Sequence, residues 1–309
     1  MWVYDDARFA MRDVLRLSRA MTFKSAAAGL RLGGGKGVIM LPPDREVSPT
    51  RRRDVLLDFG DTVEELGGRY STAEDVGTSA SDMTVIAKRT SHVTGLSRRR
   101  GGSGDPSPWT ALGVHVAIEE ACEEAFGSRS LQGRSVSVLG LGHVGGRLAT
   151  RLARAGAKLV VADVDASKRE LATKLGARWV TPAKAVTADV DVFAPCALGG
   201  VLDDESVPAL KCAVVAGAAN NQLADDSIAE LLQSRGILWA PDFVANAGGI
   251  VNISVELEPD GYDPKRAEVR VQAIGDVLRQ VFEDARAIGA TPLTAAMELA
   301  RRRLREASP

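Results

Sequence analysis

Residues 135–163 read SVSVLGLGHVGGRLATRLARAGAKLVVAD, and this stretch decides the fold. An apolar run from Ser135 to Leu139 enters a glycine motif at Gly140, Gly142 and Gly145, after which Val144, Leu148, Leu152 and Ala155 recur at helical spacing. Gly156 ends that helix, a second apolar run spans Lys158 to Ala162, and Asp163 stands 18 residues after the last glycine of the motif. A lone G-x-G-x-x-G is weak, since glycines so spaced also occur in ordinary tight turns. This one leaves a strand, opens a helix and is followed by an acid at the end of the next strand, which is the context of a dinucleotide site. Gly140 makes the turn, Gly142 lets a pyrophosphate meet backbone N–H groups at the helix N-terminus, and Gly145 allows close packing of helix on strand. His143 and Val144 lie inside the motif, where His143 is expected to pack beside the pyrophosphate and not to act as a base. Asp163 can accept hydrogen bonds from a free ribose hydroxyl but would repel a phosphate, so NAD is the expected cofactor. Lys168 and Arg169 close behind it leave some NADP use open.

Further apolar runs near Val190–Phe193, Ala213–Ala216 and Ile237–Ala240 alternate with helical stretches, which predicts an α/β fold with a doubly wound parallel sheet of Rossmann type. Upstream, Ala10, Val14, Leu17 and Met21 mark an amphipathic helix behind a cap at Asp5 or Asp6. A second helix is expected from Val55 to Leu66, ended by Gly67-Gly68, then a short strand over Arg69–Thr72. The most linker-like segment is Gly101 to Pro108, before a long helical pattern from Thr110 to Ala125. We therefore expect an α/β substrate domain over residues 1–108 and a nucleotide domain over 109–309, with the final helices from about 276 packing back on the first.

The 309 residues are 45% hydrophobic and 26% charged, ordinary for a globular protein. A net charge of −1 offers no field for nucleic acid or an anionic membrane. No apolar run nears the roughly 20 residues of a membrane span, and the acidic start lacks a signal-peptide pattern, so the cytoplasm is expected. Cys122, Cys196 and Cys212 are scattered and do not pair with His92, His115 or His143, which predicts buried thiols and no metal site. The arginine runs 51–53, 98–100 and 301–303 read as solvated surface or subunit contacts.

Residues 21–40 set Lys24 and Lys36 on either side of Gly33-Gly34-Gly35, read as a turn. With no side-chain bulk beside it, Lys36 can meet a small substrate, while Lys24 holds an anionic group. A phosphate-binding loop needs a glycine six residues before the lysine and Ser or Thr after it, and Leu30 and Gly37 fail both tests. A structural glycine turn with a solvated lysine is the plain alternative.

With lysine loop, acid loop and dinucleotide unit in one chain, the sequence resembles the glutamate, leucine, phenylalanine and valine dehydrogenase family, the leucine and valine members most. The resemblance rests on Met21–Lys24, Leu32–Val38, Thr72–Thr78, Ser103–Pro108, Ala194–Gly199 and Pro241–Gly249. It implies NAD-dependent oxidative deamination of an L-amino acid to a 2-oxo acid and ammonium, by a homo-oligomer. It further implies that Lys24 binds the substrate carboxylate, Lys36 holds and deprotonates the attacking water, and Asp75 handles protons at the amino group. Met21, Gly34, Ala73 and Asn246 complete the implied substrate set, and Thr110, Ala197, Asn220 and Asn246 join the glycine motif on the cofactor side. The chemistry also fits the residue types, because a lysine becomes a base near neutral pH when burial and a neighbouring cation lower its pKa to roughly 7–8.

Family members carry several tens of residues before the segment matching Met1-Trp2, so the resemblance implies a first domain shortened at its N-terminus. We expect a translation start further upstream, and an exposed sheet edge in the short form. Ala73, Val271 and Ile274 are read as an apolar wall that suits a branched aliphatic side chain. Phenylalanine, another NAD-linked reaction such as 2-hydroxy-acid oxidation, and an inactive NAD-binding sensor are the alternatives. A hydroxy-acid enzyme would want a His–acid pair, and none is evident in the sequence.

Overall fold

The computed structural model describes residues 1–41 and 47–307. The first part runs β1 (Trp2–Val3), α1 (Ala7–Ala27), β2 (Met40–Leu41), α2 (Pro49–Glu65), α3 (Ala80–Ile86) and α4 (Ser107–Phe126). The middle alternates β3 (Ser135–Leu139), α5 (His143–Arg154), β4 (Lys158–Ala162), α6 (Arg169–Lys174), β5 (Arg178–Trp179), α7 (Pro182–Val186), β6 (Val192–Pro195), α8 (Ser206–Ala209), β7 (Val214–Val215), α9 (Ile228–Ser234) and β8 (Leu238–Trp239). The chain closes with α10 (Asp242–Ala245), α11 (Gly248–Glu256), α12 (Pro264–Gln272), α13 (Ile274–Ile288) and α14 (Pro292–Ala307).

Strands β3 to β8 form one parallel six-stranded sheet in the order β5-β4-β3-β6-β7-β8. Its strands are short apolar runs because both faces are covered. Val136, Val138, Val161, Val192 and Val214 enter a core with α4, α5 and α13, while their neighbours Val160, Phe193 and Val215 pack on the other side with Ile228, Leu232 and Trp239. From β3 the order runs one way to β4 and the other to β6, so a switch point opens beyond Leu139 and Pro195, where such sheets bind ligands.

The first part has a small core of its own, Leu56, Met83, Ile86 and Val93, and a two-stranded parallel pair, β1 with β2. Helix α1 begins at Asp6, whose carboxylate accepts from the Arg8 and Phe9 N–H groups, and packs along α14. Among the described residues, no helix is long and apolar enough to cross a membrane.

Several expectations need correcting. Over Arg69–Thr72 only Thr72 pairs, as an isolated bridge to Val93, because the facing chain turns away at Gly95 with φ +74. Val271 and Ile274 are core residues, and a Cβ on Gly113 of α4 would come within 2.8 Å of Ile274. The segment Gly101–Pro108 is no free linker: Ser103 is buried, its N–H and that of Gly95 each donate to Glu256 Oε2 at 2.9 Å, and the Gly104 N–H closes on Leu96 O at 3.0 Å. Nor are all the arginines idle surface. Arg52 grips Asp82 with two N–H groups at 3.0 and 2.7 Å and reaches Gly77 O at 2.8 Å, and Arg303 caps the C-terminal carbonyls of α1 at Ala26 and Ala27.

Candidate active site

The glycine motif sits where the sheet switches direction. Gly140 has φ +100, and a Cβ there would lie 2.8 Å from Ala197 N and Cβ. A Cβ on Gly145 would run into Gly140 O, while Gly142, the residue before α5, has nothing within 4 Å of that position. Two glycines thus let helix, turn and the Ala197 loop pack together, and the third leaves room for a pyrophosphate against the helix N-terminus. Gly142 and His143 are exposed at this edge and Val144 packs inward. Asp163 is half-buried at the end of β4, and its carboxylate accepts the Leu141 N–H at 2.6 Å and the Asp165 N–H at 2.8 Å. It therefore braces the glycine turn and keeps acceptor lone pairs for a ribose hydroxyl. The cations behind it are engaged elsewhere: Lys168 lies 3.8 Å from Asp165, and Arg169 stacks over Trp179 at 5.5 Å. The cradle fits NAD.

Helix α1 carries Met21 and Lys24 one turn apart on one face. The segment after it, 32–39, is not the expected turn. None of Gly33, Gly34, Gly35 and Gly37 has positive φ, and the chain runs irregularly beside α1. A Cβ on Gly34 would strike Thr22 Oγ1 and Ser18 O, and one on Gly35 would lie 2.5 Å from the Tyr70 ring. The glycines let this segment lie flat against its neighbours, so what Gly34 offers a substrate is backbone.

Lys36, 20% exposed at its side chain, makes an ion pair with Asp75. Asp75 lies in a tight turn in which the Thr78 hydroxyl accepts the Asp75 N–H at 3.0 Å and donates to Asp75 O at 2.8 Å. Partial burial pushes the Asp75 carboxyl up, but Lys36, the Val76 N–H and Lys24 outweigh it and hold it below the usual carboxylate range. Ala73, half-buried, follows the Thr72 bridge that anchors this loop.

Lys24 donates to Asn220 Oδ1 at 3.0 Å, and the same oxygen accepts Asn246 Nδ2 at 2.9 Å. Asn246 is 5% exposed and its own Oδ1 is buried without a partner. Protein surrounds the Lys24 ammonium while leaving it partly open to water. Burial, helped by the charge of Lys36 and opposed by Asp242 and Asp75, lowers its pKa to about 8. The lysine expected from the sequence to have the lowered pKa is Lys36, whereas the ammonium whose pKa burial lowers is that of Lys24. Thr110 bonds Pro106 O at 3.2 Å, and a Cβ on Gly249 would lie 2.8 Å from its hydroxyl, so the start of α4 abuts the Asn246–Gly249 segment.

Sequence reading missed Asp242, Thr78, Arg52 and Glu256. The first two lie inside motif blocks that were singled out, but only their contacts reveal their use. One His–acid pair does exist, His115 Nε2 with Glu119 Oε1 at 3.3 Å, a local contact one turn apart on α4. Among the described residues, no group of three or more His, Cys, Asp or Glu side chains is placed to hold a metal ion. Cys122 and Cys212 are buried and Cys196 half-buried, all as free thiols.

Dinucleotide cradle, switch point and charged crevice together define an NAD-linked oxidoreductase. The profile "Glutamate/Leucine/Phenylalanine/Valine dehydrogenase" matches residues 161–309, and "Glu/Leu/Phe/Val dehydrogenase, dimerisation domain" matches 4–92. The NAD-binding domain profile of D-isomer-specific 2-hydroxyacid dehydrogenases matches 115–198, over the same sheet unit. Leucine dehydrogenase of Thermoactinomyces intermedius is 45% identical over 98% of this chain and 82% of its own. Valine dehydrogenase of Streptomyces virginiae is 43% identical over 96% and 83%. The crystal structure of L-tryptophan dehydrogenase from Nostoc punctiforme superimposes with a TM-score of 0.85 at 38% identity, covering 99% of this chain and 87% of that one. The chain belongs to the glutamate/leucine/phenylalanine/valine dehydrogenase family. It is an NAD-dependent amino-acid dehydrogenase, which deaminates an L-amino acid oxidatively and reversibly to a 2-oxo acid and ammonium.

Proposed function

We propose that the substrate is a branched-chain aliphatic L-amino acid, held in the crevice between Lys24, the Lys36–Asp75 pair and Asn246. The observation that carries the site is the buried, unpartnered Oδ1 of Asn246, an acceptor next to an ammonium whose pKa is lowered to about 8. A buried acceptor left empty costs about 1–3 kcal/mol, so a substrate that fills it gains by that amount. In this reading Lys24 binds the carboxylate and Asn246 Oδ1 takes an N–H of the amino group. Met21, Ala73 and the Gly34 backbone complete the wall. The leucine and valine dehydrogenases among its relatives, at 45% and 43% identity, favour an aliphatic side chain.

NAD, when bound, accepts the hydride from the α-carbon. Gly140, Gly142, His143, Val144, Gly145 and Asp163 hold its phosphate and ribose side, and Thr110, Ala197, Asn220 and Asn246 flank its reactive end. Asp75, kept ionised, takes the proton of the substrate ammonium and frees the nitrogen lone pair. Lys36 gives its own proton to solvent, the proton the net reaction releases, and then takes one from the water that attacks the resulting iminium carbon. Lys36 and Asp75, in contact, pass the proton on to the departing ammonia. Such a positioned base contributes about 10²–10⁴-fold.

The proposal extends to organisation. Residues 1–108 form the substrate half and 109–309 the nucleotide half, which close on each other to exclude water. Phe9, Met11 and Leu15 leave an apolar stripe exposed on α1, 46%, 62% and 62% accessible, and its cover is a second copy in a homo-oligomer. Three unpaired thiols suit a cytoplasmic setting.

The test is nicotinamide absorbance with NAD and a panel of L-amino acids. The expected result is highest kcat/KM with leucine or valine, and a loss of about 10²–10⁴-fold in kcat for Lys36→Ala with NAD binding retained. Highest kcat/KM with tryptophan, phenylalanine or glutamate overturns the aliphatic assignment. NAD binding without turnover on any substrate points to a sensor.

A further inference from the structure

The loop that carries Asn220 is held by a residue with no part in the steps above. Asp242 opens α10 and is 8% exposed. Its Oδ2 accepts the Gln222 N–H at 2.8 Å, and the backbone N–H groups of Phe243 and Asn221 lie where they favour its charged form. Between Asn220 and Gln222 the backbone passes through Asn221 at φ +51, the one non-glycine residue in the left-handed region among the described residues. Asparagine tolerates that region better than other side chains, and here its neighbours hold it there. Asp242 fastens the turn at the Gln222 backbone, and the Gln222 side chain ties it to the chain around it. Fully buried Gln222 donates to Gly217 O at 2.9 Å and Ala219 O at 3.1 Å and accepts from Trp239 Nε1 at 3.0 Å. What the turn delivers is Asn220 Oδ1, placed 3.0 Å from Lys24 Nζ and 2.9 Å from Asn246 Nδ2.

We infer that Asp242 is a positioning residue for amino-acid binding: it fixes the left-handed Asn221 turn so that Asn220 aims Lys24, and its own charge stands behind that ammonium. This rests on the dehydrogenase reading with Lys24 as the carboxylate clamp. The charged groups acting on Lys24 are Asp242, Lys36 and Asp75, and of the two acids Asp242 supports the ammonium more. Burial raises the Asp242 carboxyl in turn, opposed by the N–H donors and by Lys24, so the two charges sustain each other. Asp242 lies in the Pro241–Gly249 block, at the foot of a four-residue helix, and only its contacts show its use.

The test measures binding of a non-reacting aliphatic carboxylate, 4-methylpentanoate, and separately of NAD, by calorimetry from about pH 6.5 to 9.5, a window that spans the Lys24 transition. Asp242→Asn keeps the shape and one acceptor but removes the charge. The expected result is NAD affinity within about twofold of wild type, carboxylate affinity about fivefold weaker at about pH 8 and about tenfold weaker at about pH 9.5, and the pH at which affinity halves lowered by about one unit. Adding Lys24→Arg, which keeps its charge, is expected to restore pH-independent carboxylate binding; a merely structural role for Asp242 would not be rescued so. Should Asp242→Asn fold poorly, Asn221→Gly in the same chain relieves the turn, and the lowered pH midpoint is expected to remain. A midpoint equal to wild type in either background overturns the inference. Wild-type protein that binds no carboxylate at any pH overturns the dehydrogenase reading along with it.

Discussion

Lys24 and Lys36 are chemically the same residue twelve positions apart, and their neighbours give them different work. Lys36 is neutralised by a direct ion pair, whereas Lys24 meets only the oxygen of an amide and the field of two acids at longer range. The sign of the consequence can be worked out. The Lys24 pKa is lowered to about 8 in the fold from its ordinary 10.5 in the unfolded chain, so between these values the unfolded chain binds more protons. The charged Lys24 therefore weakens the fold below about pH 8, and that penalty is released as pH rises towards 10.5. Thermal melts of wild type and Lys24→Met are expected to differ most below pH 8 and to converge above it; a gap that widens with pH would refute the assignment. At Asp75, replacement by Asn removes the negative partner of Lys36 and the acceptor for the substrate proton. Steady-state kinetics should show kcat reduced about 10²–10⁴-fold with the amino-acid KM little changed. The lysines and Asp75 were legible in the sequence because residue type and motif spacing mark them. Asn246 was named as well, but the open acceptor on its Oδ1 and the part played by Asp242 were not legible, since both lie in contacts with Asn220 and Gln222 that no spacing shows.

Elements were legible in proportion to how many of their own residues decide them. Strands β3 and β4 fall at the predicted residues, because a five-residue apolar run buried on both faces needs no partner to declare itself. β5, β1 and β2 are two residues each, and pairing rather than pattern makes them strands. The glycine stretch shows the opposite failure. Gly33-Gly34-Gly35 reads as a turn, yet its glycines serve close approach to α1 and to Tyr70. That difference has a measurable result. Gly34→Ala has an allowed backbone conformation and no room, since the new methyl meets Ser18 O and the Thr22 backbone, which cannot swing aside. Overpacking of this kind costs about 1–3 kcal/mol. Because the displaced segment carries Lys36, the variant is expected to lose turnover as well as thermal stability, while its NAD affinity, set on the far side of the crevice, stays at the wild-type value.

At the scale of the whole molecule, residues far from the site in sequence hold the helices that build it. The last helix, α14, packs along α1, the helix of Lys24, and caps its C-terminal end through Arg303. Helix α11 begins at Gly248, beside Asn246 and Thr110, and ends at Glu256, whose single oxygen holds the N–H groups of Gly95 and Ser103. The segment between them looked like a loose linker, and composition alone cannot show that an acid 153 residues from Ser103 pins it. If the halves close around the substrate, this pin sets where the connection can bend. Glu256→Ala leaves two N–H groups without an acceptor and is expected to cost about 1.5–3 kcal/mol. It should also change kcat and KM together, as hinge changes do. The decisive measurement is the primary isotope effect on kcat with α-deuterated substrate. Slower closure would make the physical step limiting and reduce the isotope effect, whereas Glu256→Gln, which keeps an acceptor oxygen, should lie between the alanine variant and wild type. An isotope effect unchanged in Glu256→Ala, with stability alone lowered, would assign Glu256 to folding and leave closure to another contact.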